Sequence, residues 1–236
     1  MSSGLRAVIF DMDGVLIDSM GYHIQAWKYA FQSENVAIDE NELSTMMYLT
    51  EGMSGKVQAN DLLRKYADQE PDLQFAHKIE SIKSSRYVSL AGEIKAFNGV
   101  FNLLAALECM GVPLAVVTGS NSAEASSTLQ RLFPPKTFSV VITGGDVERG
   151  KPDPMSYLMA LDRLGMDDAR GCLVIENAPF GVRSAVGAGL RVFGILANSP
   201  LKESHLTSEG ASLVVRHHDD LLAPLESLHS AASCGV

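Results

Sequence analysis

The sequence predicts an α/β protein, a parallel sheet flanked by helices on both faces, with an all-helical domain inserted after the first strand. Three observations carry this. Five short apolar, β-rich runs (RAVIF, PLAVVTG, FSVVITGG, CLVIEN and RVFGIL) are separated by helical patterns of crossover length. Most of these runs end in Gly, Asp, Thr, Asn or Glu, residues suited to the tips of strands. From about Met20 to about Gly92 the alternation stops, and helix follows helix.

The first run, RAVIF, is apolar until it stops at DMDG, as a strand covered on both faces must be. Apolar periodicity then passes through HIQAWKYAF, NDLLRKYA and LQFAHKIESI. We expect a helical cap over 20–92 and a core made of 1–19 and 93–236. In the core, GVFNLLAALECMG, SAEASSTLQRLF, PMSYLMALDRLG and GVRSAVGAG read as helices connecting successive strands. Ser230 to Val236 reads as a frayed tail. Ligands of open parallel sheets bind beyond the carboxyl ends of the strands. A cap placed there would exclude water and shape a pocket.

A chain of 236 residues can bury one substantial core and a smaller lobe. Its net charge of −9 argues against a nucleic-acid or anionic-membrane surface, both of which demand clustered Lys and Arg. Cys109, Cys172 and Cys234 show no CxxC spacing, so neither a disulfide framework nor a zinc site is suggested. No apolar run reaches membrane-spanning length and no signal peptide is evident, so the expected location is the cytoplasm. A monomer is the default expectation for a capped chain of this size.

The chemistry lies at the strand tips. Asp11 and Asp13 in DMDG point two carboxylates into one small space, an arrangement that needs a cation or a proton between them. An EF-hand reading fails, because its fifth and twelfth positions would be Val15 and Tyr22. Thr118 in VVTGS offers a hydroxyl to a phosphoryl oxygen. Lys151 in RGKPDP offers an ammonium to an anion. Glu176 and Asn177 in VIENAPFG offer oxygen ligands to a hard cation. Each has a bland alternative as a turn former or surface charge; their ordered occurrence at four tips favours a site.

The ordered set DMDGVLIDS, VVTGS, GKPDP and VIENAPFG resembles the four motifs of the haloacid dehalogenase (HAD) superfamily of phosphatases and phosphotransferases. The β-phosphoglucomutase-like subgroup is the most similar, because GYHIQAWK resembles the start of its cap. The resemblance implies a Rossmann-like core with a helical first-position cap, and a small phosphorylated substrate. It also implies that Asp11 is the nucleophile and Asp13 the general acid and base. Thr118, Gly119 and Lys151 would bind the phosphoryl group. Mg²⁺ would sit among Asp11, the Asp13 carbonyl, Glu176 and Asn177, while a proton on Asp13 relieves the remaining repulsion.

Two departures bear on substrate. The fourth motif usually ends in two acids, whereas here Asn177 follows Glu176. Glu51 in YLTEGMSG could return the missing charge to the metal from the cap, as in relatives that resemble hydrolases of small phosphates, inorganic pyrophosphate among them. In the same loop, mutases of the subgroup carry an arginine close to the position of Gly55, with Lys56 beside it here. His23 and Lys83 match cap positions that mutases use, so a β-phosphoglucomutase stands as the alternative. A non-catalytic, phosphate-sensing or partner-binding protein on the same fold is the third reading.

Overall fold

A computed structural model describes residues 4–66 and 72–230. Residues 231–236, with Cys234 and nearly all of the expected tail, lie outside the described residues; Ser230 closes the last helix. The core opens with β1 (Ala7–Phe10) and continues after the insert with α5 (Val100–Cys109), β2 (Leu114–Val117), α6 (Ser122–Leu132) and β3 (Val140–Ile142). There follow α7 (Met155–Arg163), β4 (Cys172–Glu176), α8 (Pro179–Gly187), β5 (Arg191–Ile195), α9 (Glu203–Thr207), β6 (Leu213–Val215) and α10 (Leu222–Ser230). The six strands form one parallel sheet in the order β3-β2-β1-β4-β5-β6. Strand order reverses between β1 and β4, the position where open α/β sheets leave a crevice for ligands.

Alternation on each strand divides the core into two layers. Val8 and Phe10, Leu114 and Val116, and Leu173 and Ile175 face one side. Ala7 and Ile9, Ala115 and Val117, and Cys172 and Val174 face the other. The sequence reading named five strands. The sixth, β6, has only three apolar residues, all half-buried at the sheet edge, too short a run to stand out.

Between Met20 and Leu90 lie α1 (Met20–Ser33), α2 (Glu40–Leu49), α3 (Gly55–Tyr66) and α4 (Leu73–Leu90). They enclose a core of their own around Trp27, Phe31, Leu43, Leu62, Leu63 and Ile79. Asp39 and Asp72 start α2 and α4 by accepting from the backbone N–H groups of Glu42 and Gln74, satisfying donors that helix starts leave open. The two crossings between this unit and the sheet run side by side. Asp18 N–H donates to the Lys95 carbonyl at 2.9 Å, and Phe97 N–H donates to the Leu16 carbonyl at 3.2 Å. No described helix is long and apolar enough to cross a membrane.

Candidate active site

Asp11 follows the last residue of β1 and is fully buried. Lys151, on the loop between β3 and α7, donates from Nζ to Asp11 Oδ1 at 2.6 Å and to Glu176 Oε1 at 2.7 Å. It also donates to the carbonyl of Val117, at the end of β2. The tips of β1, β2 and β4 thus converge on one ammonium. Burial alone would strip Lys151 of its proton, but Asp11 and Glu176 hold its pKa well above the ordinary lysine value.

Glu176 uses both carboxylate oxygens within the protein. Oε1 accepts from Lys151 and from the Tyr157 hydroxyl, and Oε2 accepts from the backbone N–H groups of Asn177 and Ala178. Placed this way, it orients Lys151. The neighbouring Asn177 is buried with Oδ1 unpartnered.

Asp13 is oriented differently from the sequence expectation. Its carboxylate is the hub of a donor network: Oδ1 accepts from Ser19 at 2.6 Å and Tyr87 at 3.3 Å, and lies 2.9 Å from His23 Nε2. Oδ2 accepts from Ser120 at 2.9 Å and Thr118 at 3.3 Å. Burial acts to raise its pKa, yet His23 and the hydroxyl donors bring it well below the usual carboxylate range. These donors favour the ionised form of Asp13, where the sequence reading placed a proton, and the strain of close carboxylates bears on its neighbours. Burial pushes the Asp11 carboxyl well above its usual range, against the opposing pull of Lys151.

Glu51 comes from the loop between α2 and α3 and is buried in the same space, with Oε2 unpartnered. Its carboxyl is raised, chiefly by burial and then by Asp11. The loop can approach this closely because Gly52 and Gly119 carry no side chains. A Cβ on Gly119 would overlap the Gly52 carbonyl oxygen, and one on Gly52 would stand 2.5 Å from Lys151 Cδ. The cap loop therefore lies directly on the tips of β2 and the Lys151 loop, and covers Asp11.

Beside this covered centre lies a cavity of about 460 Å³, lined from Asp13, His23 and Glu51 outward to Lys56, Glu80 and Glu148. Lys83 also lines it, its ammonium 3.7 Å from Glu124 Oε1 and 5.0 Å from the centre of the Tyr87 ring. His23 stacks on that ring at 4.1 Å. All ten residues singled out in the sequence gather at the strand tips or on the cap face above them. Sequence reading missed Ser19, Ser84, Tyr87, Ser120, Glu124 and Tyr157. Ser19 and Ser120 stood inside the DMDGVLIDS and VVTGS motifs; Tyr87 and Tyr157 read as helix core and carried no local signal.

The donor set suits a hard cation. Asp11 Oδ2, Asn177 Oδ1 and Glu51 Oε2 are buried oxygens without a hydrogen-bond partner, and orphaned acceptors of this kind are costly. Three carboxyl groups, Asp11, Glu51 and Glu176, share the single Lys151 ammonium, leaving the centre short of positive charge. No three His, Cys, Asp or Glu side chains among the described residues make a ligand cluster by themselves. The set here depends instead on an amide oxygen.

The family profile described as haloacid dehalogenase-like hydrolase matches residues 8–195. The chain belongs to that family. It is an enzyme of the HAD phosphatase and phosphotransferase type. Validoxylamine A 7'-phosphate phosphatase of Streptomyces hygroscopicus subsp. limoneus is 31% identical over 80% of this HAD chain and 85% of that protein. The β-phosphoglucomutase of Bacillus subtilis is 29% identical over 95% of the chain and 94% of its own length. A solved structure from Bacteroides vulgatus, given as a candidate β-phosphoglucomutase, superposes with a TM-score of 0.84 at 32% identity. It covers 98% of this chain and 91% of that one.

Proposed function

We propose that this HAD enzyme is a Mg²⁺-dependent phosphohydrolase acting on a small phosphate monoester through an aspartyl-phosphate on Asp11. The observation that carries the reading is the excess of carboxylate and orphaned oxygen around Lys151. Asp11, Asn177, Glu51 and the Asp13 carbonyl would hold the cation. Bound there, it would neutralise phosphoryl oxygens and polarise phosphorus.

The chain's own groups do the rest. Lys151 keeps its proton and draws the phosphoryl charge toward Asp11. Thr118 and Gly119 bind phosphoryl oxygens at the tip of β2. The Asp11 carboxylate attacks phosphorus as the bond to the leaving oxygen breaks. Asp13, ionised at rest, would take up a proton from solvent before the cap closes, pass it to the leaving oxygen, and then take one from the water that cleaves the aspartyl-phosphate. The donors around its carboxylate suit it to that second step. Glu176 and Tyr157 fix Lys151, and loop 50–54 excludes water.

The mutase reading is less favoured. Lys83, which would contact a second phosphate, lies against Glu124, and no arginine is among the described residues that line the cavity. The substrates named for relatives, such as validoxylamine A 7'-phosphate and fructose 1-phosphate, support an organic leaving group of the size this cavity admits. Inorganic pyrophosphate is a second reading, carried by Glu51, which fills space and makes the centre compact.

A phosphate-release panel with Mg²⁺, covering hexose monophosphates, phosphoglycolate, nucleotides and pyrophosphate, tests this. Release from a hexose monophosphate is expected to be fastest. Rapid interconversion of glucose 1- and 6-phosphates, activated by a bisphosphate, would replace the hydrolase with the mutase. No release from any compound would remove both.

A further inference from the structure

Gly55 opens α3, and a Cβ added there would stand 3.2 Å from Glu80 Cγ and 3.3 Å from Glu80 Oε1. Glu80, on α4, therefore fills the room beside Gly55, and both residues line the cavity. Glu124 and Glu148 of the core line it too, together with Lys56 and Lys83 of the cap. Lys83 is already committed to Glu124, and its ammonium also lies over the rings of Trp27 and Tyr87. Glu80 enters none of the ion pairs found among the described residues. Asp13, Glu51, Glu80, Glu124 and Glu148 thus outnumber Lys56 and Lys83 around the cavity, and a long substrate would meet an excess of carboxylate.

We propose that Glu80 is a specificity-determining residue, whose carboxylate excludes substrates that carry a second phosphate at the far end of the leaving group. The preferred substrate is then a monophosphate with an uncharged far end. This deepens the phosphohydrolase reading and rests on it for the chemistry, while the charge argument rests on the cavity wall. Specificity of this kind comes from an unfavourable contact with the competitor as much as from a favourable one with the substrate. A carboxylate in a half-enclosed cavity repels a phosphate, where a neutral side chain would not.

Binding reads the wall without turnover. In Asp11→Asn protein with Mg²⁺, calorimetry gives Kd for glucose 6-phosphate and for glucose 1,6-bisphosphate. Adding Glu80→Gln, which keeps size and removes charge, is expected to shift the ratio of the two Kd values toward the bisphosphate by about tenfold. Glu80→Ala should shift it the same way. Raising ionic strength should narrow the gap between the ligands with Glu80 present and have little effect in Glu80→Gln. A ratio unchanged within twofold in both variants overturns the proposal, as does absence of bisphosphate binding in every variant. Failure of the phosphohydrolase reading shows separately, as an enzyme with Asp11 intact that releases phosphate from neither ester, and the Kd ratio still reads Glu80.

Discussion

Lys151 Nζ lies 2.6 Å from Asp11 Oδ1 in an ion pair whose two side chains are almost wholly removed from solvent. A second carboxylate, Glu176, competes for the same ammonium at 2.7 Å. Removing either partner therefore has opposite consequences. Lys151→Met strands two buried carboxylates and is expected to cost about 3–5 kcal/mol of metal-free stability. Asp11→Asn removes a carboxyl that burial already disfavours as an anion, so metal-free stability should hold or rise. Both variants should lose turnover. Urea denaturation in chelator measures the stability difference, and Asp11→Asn turnover within roughly tenfold of the parent would overturn its proposed role as nucleophile.

The cap is fastened to the core beside the site. Ser84 of α4 donates to Glu124 Oε1 of α6 at 2.6 Å and accepts from Asn121 Nδ2 at 3.1 Å. Because loop 50–54 covers Asp11, substrate must enter with this fastening open, by rotation about the paired crossings near Asp18 to Gly21 and Ala91 to Phe97. Ser84→Ala deletes a hydrogen bond to a charged group, a contact worth about 1.5–3 kcal/mol. Faster amide exchange in residues 50–54 and a raised KM are the expected results. Unchanged exchange in that loop would place the hinge elsewhere.

Stability should also fall in mild acid through His218, which is buried and lies 2.6 Å by Nε2 from the Val15 carbonyl. Burial lowers its pKa, His217 adds to the effect, and the Val15 carbonyl and Asp219 oppose it. In the unfolded chain the imidazole takes up a proton near pH 6.5, while the folded chain resists until lower pH. The unfolded state then binds more protons, so the contribution of neutral His218 is present above about pH 6.5 and is lost as pH falls below it. Between pH 7 and pH 5 the urea midpoint of the parent should drop more steeply than that of His218→Gln. Parallel slopes would show that other groups dominate.

What the sequence made legible follows from how a doubly covered sheet is built. A strand buried on both faces must be apolar along its length, so the polar residue that ends it is conspicuous, and Asp11, Thr118 and Glu176 each mark such an end. The roles within the site were less visible because they depend on contacts between distant segments. Asp13 draws its partners from residues 19, 23, 87, 118 and 120, and that convergence favours its anion where the sequence reading placed a proton. Glu176 has the composition of a metal ligand, but Tyr157, 19 residues earlier, and two backbone N–H groups take up its oxygens. The edge strand β6 escaped because three half-buried residues leave too little pattern.

Glu51 is the residue on which the proposed metal binding would turn. Without a cation its carboxyl is a liability, since burial and the nearby Asp11 both disfavour the charged form. With Mg²⁺ beside Asn177, the same carboxylate would supply the negative charge that the amide lacks. Glu51→Gln should therefore raise the metal-free unfolding midpoint and at the same time diminish the stabilisation that added Mg²⁺ produces. In turnover, the Mg²⁺ concentration for half-maximal rate should rise at least about tenfold, the scale of a lost supporting contact at a metal site. Chelator should abolish activity in the parent and leave its fold intact, because a few oxygen ligands seldom hold together a domain with so large an apolar core. The two-sided stability effect separates this role from a structural one: a loop glutamate that merely packs under the cap would shift both midpoints alike. An equal Mg²⁺-induced shift in the parent and in Glu51→Gln would remove Glu51 from the metal and with it the case for pyrophosphate.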